Sequence, residues 1–301
     1  MTITRRPYQG AEEDDTRIAH LLASQPESRR HLIDQPWKLS SPSIQDGKNA
    51  CLWEDEHGQV LAFAAWQLHW ATLDLFVRTG PWQQAVEDEI FAWAEKRFRE
   101  LDEERGYPLP YWVEYRDDDA ERRQLAEAHG FLLDEERLVQ FHRSLNEPLP
   151  APTLPDGLIL RPLAGEQEAG AYADLHRAAF ESTSMTAEWR ARTLRMPQYR
   201  ADLDLVIAAP DGRLAGFIVG WYDPLRHIGQ IEPMGVHPDF QGLGLSRALL
   251  LAIFQRFHAV GADYVLVETD LDRTPARHAY EAAGFRPAHI VQAKGKWIKQ
   301  R

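Results

Sequence analysis

Hydrophobic and polar positions follow two rhythms along the chain, and both recur on either side of residue 150. A short strand ending in Arg-Pro opens each half, ITRRP at Ile3–Pro7 and LILRP at Leu158–Pro162. Hairpin signals follow in HGQVLAFAAW from His57 and DGRLAGFIVG from Asp211, each with a turn glycine before a run of apolar residues. Late in each half the period lengthens to that of a helix. YWVEYRDDDAERRQLAEAHGF ends at Phe131 and YVLVETDLDRTPARHAYEAAGF at Phe285. In the second half Leu249, Leu250, Ile253, Phe254 and Phe257 fall on one face of a helix that Gly261 stops.

The glycines Gly58 and Gly212 are 154 residues apart, and so are Gly130 and Gly284. A series of matched features in one order reads as an internal duplication. Between the copies, NEPLPAPTLPDG is rich in proline and has no hydrophobic period, as a semi-rigid linker does. The expected organisation is a domain over 1–145, a linker over 146–157 and a domain over 158–301. The second domain reads as strand, two helices, two antiparallel strands, a strand leading into a glycine loop and helix, then strand, helix, strand. That order predicts one sheet with helices attached, an α/β or α+β fold.

Charge changes the picture in one respect. Residues 1–154 carry 17 Lys/Arg against 29 Asp/Glu, whereas the remainder carries 17 of each, so the whole net charge of -12 lies in the first half. An acidic half argues against a nucleic acid or an anionic membrane as partner. The single cysteine, Cys51, cannot form an internal disulfide, and its apolar setting reads as a buried, inert thiol. The N-terminus has no apolar signal core, and runs such as VLAFAAW are too short to span a bilayer; the expectation is a cytoplasmic protein.

The candidate chemistry lies in HPDFQGLGLSRALL, His237–Leu250. Gly242 and Gly244 stand between a strand end and a helix N-terminus, where backbone N–H groups are unpaired and the dipole is positive. Without Cβ atoms such a backbone curls around an anion, so the loop reads as a phosphate cradle or as a plain glycine turn. No Gly-Lys followed by Ser or Thr is present, and Arg247 stands where a dinucleotide fingerprint needs its third glycine. The histidines His227, His237, His258, His278 and His289 show no paired ligand spacing, so no metal site is expected.

In its wider setting, QIEPMGVHPDFQGLGLSRALL followed by a strand and DRTPARHAYEAAGF resembles the acyl-CoA-binding core of the GNAT-type N-acetyltransferases. Gln241, Gly242, Leu243, Gly244, Leu245 and Ser246 match the family's pyrophosphate loop, with serine in place of the usual last Gly or Ala and Arg247 following. Ala276, Tyr280, Gly284 and Phe285 match its second motif, whereas Arg273 replaces the asparagine that contacts the pantetheine arm. The resemblance implies two tandem GNAT-like domains, each a mixed, mostly antiparallel sheet flanked by helices, in an arrangement similar to that of mycothiol synthase. It implies acetyl-CoA as co-substrate, backbone contacts from Met234 and Val236, Tyr280 as the acid for the departing thiolate and Glu232 as the base. Phe180, Trp221, Tyr222 and Gln230 are the candidates for lining the acceptor pocket. The expected reaction is acetyl transfer to a primary amine of a small molecule or peptide by direct attack, in a monomeric pseudo-dimer or a homodimer. A non-catalytic acyl-CoA sensor is the alternative. A nucleotide-dependent oxidoreductase is a third reading, and it predicts affinity for NAD(P).

In the first half, aligning Val77 with Val236 lays Trp82, Gln83, Ala85 and Glu87 over Gln241, Gly242, Gly244 and Ser246. The expectation is that Glu87 and Asp88 face the pyrophosphate position and repel it. Ala126 stands in the place of Tyr280, so the first copy reads as scaffold without an anion cradle.

Overall fold

The computed structural model describes residues 2–45 and 47–298. In chain order the elements are β1 (Thr4–Pro7), α1 (Glu12–Ala23), α2 (Gln35–Leu39), β2 (Ala50–Glu54), β3 (Val60–Gln67), β4 (Thr72–Val77), α3 (Gln83–Arg105), β5 (Tyr111–Arg116), α4 (Ala120–Ala128) and β6 (Leu133–Ser144). They continue with β7 (Ile159–Pro162), α5 (Ala169–Phe180), α6 (Ala187–Leu194), β8 (Asp204–Ala208), β9 (Leu214–Asp223), β10 (Ile228–Val236), α7 (Leu245–Ala259), β11 (Tyr264–Asp270), α8 (Thr274–Ala282) and β12 (Arg286–Lys296). None of the described helices is long and apolar enough to cross a membrane.

Two compact units result. One comprises Met1–Leu32, Ser41–Leu138 and His289–Arg301; the other comprises Ile33–Ser40 and Val139–Ala288. These units do not coincide with a cut between residues 145 and 158. The eight residues 33–40 come from the first half of the chain and pack in the second unit, and β6 and β12 each begin in one unit and end in the other. The proline-rich stretch is part of the second unit, where Arg143 donates to the Pro148 carbonyl and Gln255 to that of Pro150.

The duplication is written into local geometry. α4 and α8 are offset by 154 residues at both ends. Phe131 N–H donates to the Ala126 carbonyl at 3.1 Å, and Phe285 N–H to that of Tyr280 at 3.0 Å. Gly58 and Gly212 both have positive φ and close equivalent hairpin turns, donating to the Asp55 and Ala209 carbonyls. The arginine of each Arg-Pro strand reaches an acid at the following helix, Arg6 to Asp14 and Arg161 to Glu168.

In the first unit β1, β2, β3 and β4 pair antiparallel, β4 meets β5 in parallel only at Thr72 and Trp112, and Val291–Lys296 of β12 pair antiparallel with β5. In the second unit β7, β8, β9 and β10 pair antiparallel and β10 pairs in parallel with β11. The central strand β3 is buried along its whole length, as its unbroken apolar run requires. Cys51 lies in this buried sheet, and burial pushes its thiol up to about 11, which keeps it protonated and unreactive.

Candidate active site

The loop before α7 is built by two left-handed glycines. Gly242 has φ 77° and Gly244, the residue that starts the helix, has φ 75°. A Cβ at either position would meet no atom within 4 Å, so the conformation, not crowding, calls for glycine. Gly244 offers no side-chain cap, and its carbonyl already accepts from Ala248 N–H. The N–H groups of Leu245, Ser246 and Arg247 therefore start the helix without intrahelical carbonyls. Gln241 to Gly244 and Arg247 are exposed, whereas Leu245 is buried and anchors the turn. Ser246 is the second helical residue, and Arg247 donates to the Ala282 carbonyl at the end of α8.

Strand pairing opens the neighbouring backbone. The β10–β11 ladder runs only from Ile228 to Ile231, although both strands continue beyond it. On the other edge, β10 shifts register against β9 between Ile231 and Met234 and then pairs Met234, Gly235 and Val236 with Ile218, Phe217 and Gly216. His237 N–H donates to Ala215 in the same register at 2.9 Å. Because antiparallel bonding alternates, His237 and Gly235 bond toward β9, and the backbone groups of Met234 and Val236 point into the split beside β11.

Glu232 and Tyr280 are brought together at this split. Burial, then the charges of Asp34 and Glu268, push the Glu232 carboxyl up to about 8, with Lys38 and Arg273 opposing the rise. Tyr280 is 6% exposed. Burial, then the charge of Glu232, raises its hydroxyl well above the ordinary tyrosine range, so it stays protonated. Its ring packs near Phe141 and Phe285 with centroids 6.1 and 5.6 Å away. The Arg273 guanidinium lies 5.0 Å from the centroid of the Phe180 ring, at the start of α8. A carboxyl raised to about 8 and a phenol kept protonated, close enough for their charges to couple, are groups of the kinds that proton transfer can use.

The proposed pocket residues divide. Phe180 remains half-buried beside Arg273. Trp221 is 1% exposed in the core formed with Trp37, Trp189 and Phe217, and its indole N–H donates to the Glu232 carbonyl at 2.7 Å. It holds the strand under Glu232 and does not face an acceptor. Gln230 is also buried; its side-chain oxygen accepts from Ile33 and Asp34 N–H at 2.8 and 3.1 Å. Tyr222 points to the other end of the strand, where its hydroxyl meets His227.

Asp34, Lys38 and Glu268 were not found from the sequence. The first two arrive with α2, Asp34 at its N-cap and Lys38 within it, about 200 residues from Glu232 in the chain, and no local period announces that. Distance along the chain also hid the partner of His289, whose Nδ1 is 3.2 Å from Asp117 in the first unit. Asp117, Asp118 and His289 are the one group among the described residues with the spacing of metal ligands, but Arg116 already clasps both oxygens of Asp118 at 2.9 and 2.6 Å.

The first unit carries the same split, closed. Arg78 N–H donates to Leu61, so by the same alternation the Leu75 carbonyl points toward β5. Arg122 fills that gap, 3% exposed, donating to the Leu75 carbonyl at 3.0 Å. Arg29 pairs with Asp119 at 2.8 Å beside it, and Arg30 pairs with Glu114. The residue 154 positions later, in place of Arg122, is Ala276. The expectation for Glu87 and Asp88 needs correction. Five residues separate β4 from α3 and eight separate β10 from α7, so α3 starts earlier than the alignment assumed. Glu87 therefore lies a turn inside the helix, 8% exposed, with its carboxyl raised by burial. The arginine in the split, and not acid at the helix start, joins the missing loop glycines and Ala126 as a difference between the copies.

A family model described as acetyltransferase (GNAT) family matches residues 170–285. The mycothiol acetyltransferase of Thermomonospora curvata is 33% identical over 191 residues, covering 62% of this chain and 63% of that protein. That of Nocardia farcinica is 33% identical over 165 residues, covering 51% and 54%. The chain thus matches between half and two thirds of the length of these curated relatives. A tandem GNAT protein from the clavulanic acid biosynthesis pathway superimposes over 100% of both chains with a TM-score of 0.68 at 16% identity, which speaks to the fold. Residues 170–285 thus match the acetyltransferase (GNAT) family model, and the fold of the chain is similar to that of the tandem GNAT protein.

Proposed function

We propose that the second unit transfers an acetyl group from acetyl-CoA to a primary amine by direct attack within a ternary complex. The supporting observation is the split beyond Ile231, where outward-facing backbone of Met234 and Val236 lies between a glycine-built helix N-terminus and the Glu232–Tyr280 pair. Acetyl-CoA supplies an activated thioester and an anionic pyrophosphate. The amides from Gly242 to Arg247 hold the anion, and the open edge of β10 takes the pantetheine arm in the manner of an added strand. An N–H from that edge polarises the thioester carbonyl. Glu232 takes a proton from the amine, and the carbon–nitrogen bond forms. The carbon–sulfur bond breaks, and Tyr280 gives its proton to the departing sulfur. Arg273, where the family has asparagine, presents a guanidinium at the same mouth and keeps its place by stacking on Phe180.

The first unit acts as scaffold, its split held shut by Arg122, so the chain carries one acyl-CoA site, as a monomer or a homodimer. Because these relatives are named mycothiol acetyltransferases, a mycothiol precursor is included among the acceptors to test. With acetyl-CoA and a panel of primary amines including that precursor, free CoA thiol is expected to appear only when an accepted amine is present. Tight acetyl-CoA binding with no release across the panel would favour the non-catalytic binding module.

A further inference from the structure

The segment Ile33–Ser40 leaves the first half of the chain and is built into the second unit by fixed contacts. Gln230, two residues before Glu232 on β10, accepts the N–H groups of Ile33 and Asp34 through one buried side-chain oxygen. Trp37 packs on Trp189 and His176 at centroid distances of 4.8 and 5.9 Å. Ser40 meets the Thr193 hydroxyl at 2.8 Å, and Arg192 donates to the Ser40 carbonyl at 2.8 Å. Gln230 and Glu232 share one face of their strand, so the anchor that fixes the start of α2 also places it beside Glu232. Asp34 and Lys38, four residues apart across this short helix, stand next to each other on one side of it.

We propose that segment 33–40 is a working wall of the acceptor site, in which Asp34 receives the acceptor as its ammonium and Lys38 offsets the gathered carboxylates, so that the enzyme selects polar amines that arrive protonated. The ammonium gives one proton to ionised Glu232 before attack, and the nitrogen gives its second to the Tyr280 oxygen after Tyr280 has protonated the departing sulfur. This rests on the acyl-transfer reading above. The charged groups facing Glu232 come from three elements: Asp34 and Lys38 from α2, Glu268 from β11 and Arg273 from the start of α8. Glu268 is itself held by Gln140 at 2.8 Å. The two carboxylates are matched by the two cations, so once Glu232 is ionised the group carries one negative charge over, which suits an ammonium and not a carboxylate or phosphate as the group that enters. With Trp221 in the core and Tyr222 at the far end of β9, Phe180 is the one of the three aromatic candidates that stays beside Arg273. Asp34 and Lys38 act through Glu232 as well as on the acceptor, and they are positioning residues in that sense.

The two side chains push the Glu232 carboxyl in opposite directions, and this gives a test that needs no substrate. In full-length protein labelled with 13C at glutamate side chains, the Glu232 carboxyl resonance, assigned by its loss in Glu232→Gln, is titrated in wild type, Asp34→Asn and Lys38→Met. Asp34→Asn is expected to lower the midpoint by about one unit and Lys38→Met to raise it by roughly half a unit. A structural disturbance alone would not separate the two in sign. Midpoints that stay together, or that move the same way in both variants, would overturn the proposal while leaving the acyl-transfer reading standing. Where an amine is turned over, Asp34→Asn is expected to raise its KM about tenfold and leave the KM for acetyl-CoA unchanged. An unchanged amine KM would refute the ammonium contact.

Discussion

Glu232→Gln is expected to lower kcat/KM for the amine by about 10²–10⁴-fold and to flatten the acidic limb of its pH profile. In the wild type that limb should rise through pH 8, because the carboxyl must lose its proton before it can accept one from the amine. The same substitution makes a second, opposite prediction about stability. The folded-state pKa of Glu232 is raised far above that of an unfolded glutamate, so the folded protein binds this proton more tightly. Stability is full below the unfolded value near pH 4.5, falls as pH climbs toward 8 and is level beyond. Glutamine, neutral throughout, removes that decline. Since the side chain retains some contact with solvent, the gain at pH 8 should be about 1–3 kcal/mol, read from denaturant unfolding at pH 5 and pH 8. A variant that is inactive and less stable at pH 8 would mean that Glu232 is a structural residue.

Tyr280→Phe is expected to reduce kcat and kcat/KM together, by about 10–10³-fold, with the KM for acetyl-CoA unchanged. The phenyl ring preserves the contacts with Phe141 and Phe285, so unfolding stability should change by less than about 1 kcal/mol. That pairing of outcomes separates an acid from a core aromatic. A residue used only for packing would tolerate the change with full activity. If kcat is retained, the proton for the thiolate comes from elsewhere.

Much of the second unit was legible because its signals are local. The stripe of Leu249, Leu250, Ile253, Phe254 and Phe257 is buried as its spacing requires, and the positive φ of Gly242 and Gly244 follows from a loop that must turn into a helix without side-chain atoms in its path. The matched pairs Gly58/Gly212 and Gly130/Gly284 were visible for the same reason. What stayed hidden was long-range. No pattern within residues 33–40 says that they pack 200 residues downstream, and an even cut at the proline-rich stretch could not foresee strands that pass from one unit to the other. Trp221 looked like pocket lining because aromatic residues suit both roles; its burial and its bond to the Glu232 carbonyl decide for the core. Glu87 was misplaced because the alignment gave two loops of different length the same length. A further difference between the copies, which no local pattern marks, is the pair Arg122 and Ala276.

That pair also names the most direct test of the central claim, that one open split per chain takes acetyl-CoA and the other is closed from within. Titration calorimetry of the full-length protein with acetyl-CoA should give one site per chain. Gly244→Val, which forces a branched residue into the left-handed region at a cost of about 1–2 kcal/mol, should weaken that site about tenfold or more. Two sites of similar affinity, or one site indifferent to Gly244→Val, would contradict it.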